Sequence, residues 1–311
     1  MDDAELLLGL GLCAVCAINS GALLYALHKI NPAIGKQESE EEGELEDEGA
    51  TEEGTGEAEA PAEFKRPTTK AGILAWRQSI IEELEKERGT RVLTMIHKKE
   101  LWTEPSGDPE IGIEDTETVL QKLRKIPPDV PVDFIIHTPG GYALAAQMMA
   151  MAIKFHPAKV TVMVPFYAMS GGSLMTLAAG EIRMEKYSVL GPVDPQIPTP
   201  DGMYPAGSLT TLAKTKPIQY ITDRMVIMSD VANLEIENAK AFVMWLLDGK
   251  MDKEQAERVA DFLARGYMSH ATPITLDVAR AIGLNVVEGI PDKVYELFKT
   301  FTFTGQPYRR H

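Results

Sequence analysis

Three apolar runs limit what this chain can fold into. RVLTMIH (91–97), VDFIIH (132–137) and KVTVMV (159–164) are apolar throughout rather than alternating, so each predicts a short strand covered on both faces. EIRME (181–185) is a fourth strand pattern. Helical patterns separate them: IEDTETVLQKLRKI (113–126), closed by Pro127 and Pro128, then a helix from about Leu144 to Phe155, and another from Ser170 to Ala179. Strand and helix exchanging at such short intervals predict an α/β fold with a mainly parallel sheet buried by helices on both sides. Upstream, Ile73, Trp76, Ile80, Ile81 and Leu84 recur at helical spacing, with Thr69 placed to cap and Gly89 to stop the helix. The C-terminal third reads as helices over about 207–248, 252–266, 275–282 and 291–300.

The ends of the chain are built differently. Residues 37–60, QESEEEGELEDEGATEEGTGEAEA, hold twelve carboxylates, no basic residue and one leucine, and account for most of the net charge of −15. Such a segment cannot bury a core, so residues 28–66 are expected to be a disordered acidic linker. The remainder is nearly balanced in charge and carries no basic footprint for nucleic acid. Before the linker, Leu6 to Leu27 runs for 22 residues without a charge. That is long enough to cross about 30 Å of hydrocarbon, so 4–27 is expected to be a transmembrane helix. The acidic MDDAE start, followed by His28, Lys29 and Lys36 beyond the apolar run, argues against a signal peptide and places the rest of the chain on the cytoplasmic side. The only cysteines, Cys13 and Cys16, lie in that apolar segment, which rules out a disulfide framework for the remaining chain, 67–311.

The chemistry concentrates in HTPGG (137–141) and AMSGG (168–172). Both follow a buried-strand pattern and lead into an Ala/Met-rich helix, the carboxyl-end position where open α/β sheets gather ligands. Glycine pairs and helix N-termini supply backbone N–H groups that lack bulk and are free to point at an anion. Ser170 stands between these turns. Alone it reads first as a helix cap; beside two glycine turns it also reads as a nucleophile facing amide donors. AMSGG is not the G-x-S-x-G elbow, because Ala168 stands where the first glycine belongs.

The order strand–TPGG–helix–strand–MSGG–helix–strand resembles the ClpP/crotonase superfamily, including the Clp proteolytic subunit and signal peptide peptidase A. It is similar above all to the membrane-anchored serine dehydrogenase proteinases. The resemblance is carried by IIHTPGG (135–141), VPFYAMSGGSLMTLAAGEI (164–182), VLGPVDPQI (189–197) and SHATPITLDVARAIGLNV (269–286), and extends upstream through RGTRVLTMIH (88–97). It implies a spiral of ββα units, Ser170 as nucleophile, and an oxyanion hole of amides at Gly141 and Gly171, with Gly140 beside them. Clp-type enzymes take their base from a histidine after the serine helix, where SVLGPVDPQI has none. Signal peptide peptidase A uses a lysine, and LAKTKPIQY offers Lys214 and Lys216. Lys216, preceding a proline, fits the register better; Lys214 is the alternative, and His137 and His270 are further candidates. Asp194, among glycine and prolines, is expected in a turn or supporting the site from behind.

The resulting expectation is a membrane-anchored serine endopeptidase with a Ser/Lys dyad, no cofactor and no metal site, acting on membrane-associated or unfolded polypeptides as a homo-oligomer. Two alternatives remain. A crotonase-like acyl-CoA enzyme would use the same amides for a thioester enolate but requires a carboxylate and a coenzyme A pocket. An inactive ClpP-like scaffold would present its groove or acidic linker to partners. No G-x-G-x-x-G or pyridoxal-phosphate lysine motif supports dehydrogenase chemistry.

Overall fold

The computed structural model describes residues 67–98 and 110–301. The expected membrane helix (4–27) and the whole of the expected linker (28–66) lie outside them; among the described residues no helix is long and apolar enough to cross a membrane.

The described residues open with helix α1 (Lys70–Arg88), whose start is set by Thr69 accepting the Gly72 amide at 3.1 Å and whose end is set by Gly89 at φ 63°. Strand β1 (Arg91–Ile96), helix α2 (Ile113–Leu123), strand β2 (Val132–His137), helix α3 (Ala143–Phe155) and strand β3 (Val160–Val164) follow the order read from the sequence. Then come strand β4 (Tyr167–Ala168), helix α4 (Gly171–Ala178) and strands β5 (Glu181–Met184) and β6 (Val189–Leu190). The hairpin β7 (Gln196–Thr199) and β8 (Gly202–Pro205) leads into helices α5 (Ala206–Thr215), α6 (Asp223–Leu247) and α7 (Lys253–Ala264). Strand β9 (Ile274–Thr275), helix α8 (Leu276–Ala281), strand β10 (Val286–Glu288) and helix α9 (Asp292–Lys299) complete it.

The main sheet has the order β1-β2-β3-β5-β10 and every pairing in it is parallel. Strand alternation divides the core. Phe134 and Ile136 of β2 point toward α2, α3, α4 and α7, whereas Ile135 points toward Ile80 and Leu84 of α1 and Val294, Leu297 and Phe298 of α9. All three β2 residues are fully buried, which explains why the run had to be apolar throughout. Asp133 and His137 are the buried polar residues of β2, and Asp133 is paired by Arg88 from the last turn of α1 and by Thr90 Oγ1 at 2.8 Å. That pairing offsets the desolvation of the carboxylate and locks α1 to the sheet.

A second, smaller sheet has the order β4-β6-β9, with β4 parallel and β9 antiparallel to β6. Its strands are two residues long, too short to show a period in the sequence, and none was anticipated. The helix expected over 207–248 is two helices. Pro217 has no N–H to donate and holds Lys216 extended (φ −80°, ψ 132°), so α5 ends there, and α6 begins anew under the cap of Thr222.

Candidate active site

The small sheet brings the two glycine turns together. Thr138 forms a parallel bridge to Ala168, its amide donating to Tyr167 O at 3.2 Å and its carbonyl accepting the Met169 amide at 3.0 Å. The end of β2 and the approach to α4 therefore run side by side. A methyl on Gly172 would meet Thr138 Cγ2 at 2.5 Å, and one on Gly140 would meet Ser170 Cβ at 2.8 Å. Glycine is required here for approach, not only for turning.

Ser170 has φ 50° and ψ −113°, the one positive φ among the described non-glycine residues. An L-residue held there is strained, and such strain persists where surrounding structure enforces it. Although Ser170 precedes the first residue of α4, its side chain makes no capping bond. The helix-cap reading is therefore replaced: the hydroxyl is presented half-buried on a sharp strand-to-helix turn instead of being spent on the backbone. Ser173 supports the turn from within, donating to Ala168 O at 2.8 Å and accepting the Gly191 amide at 2.9 Å.

The amides of Gly141 and Gly171 take no hydrogen-bond partner among the described residues, and a methyl on Gly171 would lie 3.9 Å from Gly141 N. They are adjacent, free donors beside Ser170, at the positive end of α4. Gly140 does not join them: its amide donates to Thr138 Oγ1 at 3.1 Å and faces inward. At the other end of α4, Lys250 Nζ donates to Leu177 O and Ala179 O, both at 2.6 Å. Burial, aided by the charge of Lys154, pushes its pKa down to about 8.

The candidate bases fall in different places. His137 is buried against Tyr167 and Phe298, with ring centroids 4.2 and 5.2 Å away, on the α1/α9 side of the sheet. Burial and the charges of Lys98 and His97 lower its pKa to about 4. Its side chain belongs to the layer opposite α4, which removes it as a base for Ser170. Lys214 lies exposed in the last turn of α5, and Lys216 lies half-exposed just after it; α5 packs on α6 and the β7–β8 hairpin. His270 is paired: its Nδ1 is 2.6 Å from Oδ1 of Asp194, which is buried and also accepts Gln196 Nε2 at 2.7 Å. Asp194, expected in a turn or supporting the site from behind, thus pairs with a histidine.

One cluster escaped sequence reasoning. His97 Nδ1 lies 2.7 Å from Thr138 Oγ1, and its buried Nε2 lies 3.4 Å from Asp115 Oδ2. Burial acts to raise the Asp115 carboxyl, but the His97 ring and the Gly112 amide outweigh it and hold the pKa below the ordinary value. Among the described residues no group of histidine, cysteine and carboxylate side chains is arranged to hold a metal ion.

The family described as ClpP-like SDH-type serine proteinase matches residues 64–310. This chain belongs to that family. The match takes in both glycine turns, Ser170 and the Asp194–His270 pair. Two uncharacterised proteins of Methanocaldococcus jannaschii are similar to this family member. MJ1495 is 44% identical over 228 residues, covering 72% of this chain and 76% of its own length; MJ0137 is 41% identical over 237 residues, covering 75% and 80%. Among solved structures, a mutant of the 1510-N membrane-bound stomatin-specific protease aligns at TM-score 0.42 and 14% identity, covering 67% of this chain and 82% of that one. ClpP1 from Listeria monocytogenes aligns at TM-score 0.41 and 18% identity, covering 67% and 97%.

Proposed function

We propose that this ClpP-like SDH-type proteinase is an active serine endopeptidase in which Ser170 attacks the scissile carbonyl and the Gly141 and Gly171 amides stabilise the oxyanion. The observation that carries the reading is the strained, uncapped Ser170 beside two unpartnered amides. Backbone donors fixed before the reaction cost no reorganisation as charge develops on the carbonyl oxygen. Lys216, by its register, accepts the serine proton and returns it to the leaving amine. The substrate is a polypeptide, unfolded or held near a bilayer by the apolar segment 4–27, and the working particle is a homo-oligomer. The crotonase-like and scaffold alternatives have no comparable support: neither requires a strained serine.

One observation favours a second reading of the base. His270, oriented by the buried Asp194 at 2.6 Å, has the arrangement that fixes a tautomer and leaves Nε2 as acceptor. Acylation rates with a fluorophosphonate separate the two. Lys216→Ala lowers the rate by about a hundredfold or more while Lys214→Ala and His270→Ala leave it near wild type if the lysine is the base. The reverse pattern, with Asp194→Asn following His270→Ala, assigns the histidine. No dependence on any of these residues contradicts both.

A further inference from the structure

We propose that Asp115, His97 and Thr138 form a relay of polar contacts that sets the direction of the Gly141 amide, making His97 and Thr138 positioning residues for the reaction of Ser170; the inference rests on the serine-peptidase reading above. The relay joins three segments. His97 follows β1, and its amide donates to His137 O at 2.8 Å, which places the ring over the start of the first glycine turn. Its Nδ1 meets Thr138 Oγ1 at 2.7 Å, and Thr138 Oγ1 accepts the Gly140 amide at 3.1 Å. On its other side His97 approaches Asp115 Oδ2 at 3.4 Å, and that same oxygen accepts the Gly112 amide at 2.8 Å at the start of α2.

Gly112 closes the circuit through its neighbour. The Ile111 amide donates to Gly140 O at 2.7 Å, and Ile111 O accepts the Tyr142 amide at 2.8 Å. The peptide unit between Gly140 and Gly141 is planar and trans, so the Gly141 N–H points opposite to the Gly140 carbonyl. Pinning that carbonyl on Ile111 and the preceding amide on Thr138 therefore fixes where the Gly141 donor points. The positive φ of both glycines, 109° and 146°, shows that the turn has little intrinsic preference for this conformation and needs external ties. Thr138 is fully buried and His97 nearly so, so neither is available to a polypeptide as nucleophile or base. Thr138 Oγ1 and His97 Nδ1 are used within the turn, while the buried His97 Nε2 makes no hydrogen bond among the described residues and faces the Asp115 carboxylate 3.4 Å away.

Substitutions at Thr138 distinguish positioning from filling space. A role in packing alone favours Thr138→Val, which keeps the volume, over Thr138→Ser; a role through the hydroxyl favours Ser over Val. Two readouts on the full chain are paired: the fluorophosphonate acylation rate at Ser170, and deuterium exchange of the peptide spanning 138–142. Thr138→Val is expected to slow acylation about 10- to 100-fold and to speed exchange of the Gly140 amide, which loses its acceptor, about tenfold, with Thr138→Ser within about threefold of wild type in both. His97→Phe is expected to follow Thr138→Val. Valine equal to or better than serine in both readouts overturns the relay, and His97→Phe at wild-type values removes His97 from it. If wild type is not acylated but exchange follows the stated order, the peptidase reading falls while control of the turn by the relay stands.

Discussion

The two glycine turns solve one steric problem in opposite ways. In the first, residues 138–141, the unusual backbone angles fall on Gly140 and Gly141, where a side chain would collide with Ser170 and Ile111. In the second, residues 170–172, the unusual angle falls on Ser170 although glycine stands next to it. Had the second turn been selected only for folding, its positive φ would belong to a glycine. The contrast supports the proposal that Ser170 is a reacting group and not a cap.

Substitutions at the two turns should therefore behave differently. Gly141→Ala is expected to have the largest effect, because its methyl would lie 2.4 Å from Ile111 N at a φ that alanine resists. Together the collision and the strain should cost at least about 3 kcal/mol in urea unfolding, with loss of soluble folded protein as the extreme. A wild-type midpoint for this variant breaks the comparison.

The strand feeding the first turn gives a pH test of similar size. His137 has a folded pKa of about 4 against an ordinary value of 6.5. Between those values the unfolded chain binds the extra proton, so stability is fully present above 6.5 and is lost as pH falls through 4. Wild type should lose about 2–3 kcal/mol from this group between pH 7 and pH 4.5, and His137→Phe, which suits the aromatic surroundings, should lose correspondingly less over the same range. Equal acid slopes for the two proteins would show that His137 is not held neutral.

Behind the second turn, Lys250→Met leaves the Leu177 and Ala179 carbonyls at the end of α4 without their donor. A cost of about 1–3 kcal/mol in thermal or urea unfolding is expected. No loss would mean that water replaces the lysine without penalty. The smallest effect has the opposite sign: Ser170→Gly relieves the positive φ and should stabilise by about 1 kcal/mol while abolishing acylation. A destabilised Ser170→Gly protein would contradict the claim that this serine is strained for function.

Much of this was legible in the sequence, and the parts that were not have physical reasons. VDFIIH was readable to the residue as a strand, since burial on both faces fills it mostly with apolar side chains. The two-residue strands β4, β6 and β9 were invisible, although the last residue of β4, Ala168, carries the bridge to Thr138 that brings the turns together. Pro217 stood in plain view within the span read as one long helix, and the helical pattern on both sides concealed its effect. Glycine pairs mark loops with exposed amides locally, so the two turns were readable; Gly140 could not be told from Gly141 without knowing that Thr138 takes its amide. Asp194 and His270 are 76 positions apart, and His97 and Thr138 are 41 apart. Their meeting depends on sheet order, which no local pattern records.

The central claim is that Ser170 is a nucleophile, and covalent labelling tests it most directly. The folded full-length chain is incubated with a fluorophosphonate, and the adduct is located by peptide mass spectrometry. The account predicts one adduct, on the peptide containing Ser170, absent from Ser170→Ala at unchanged fold. No adduct on folded protein, or an adduct that persists in Ser170→Ala, would contradict it.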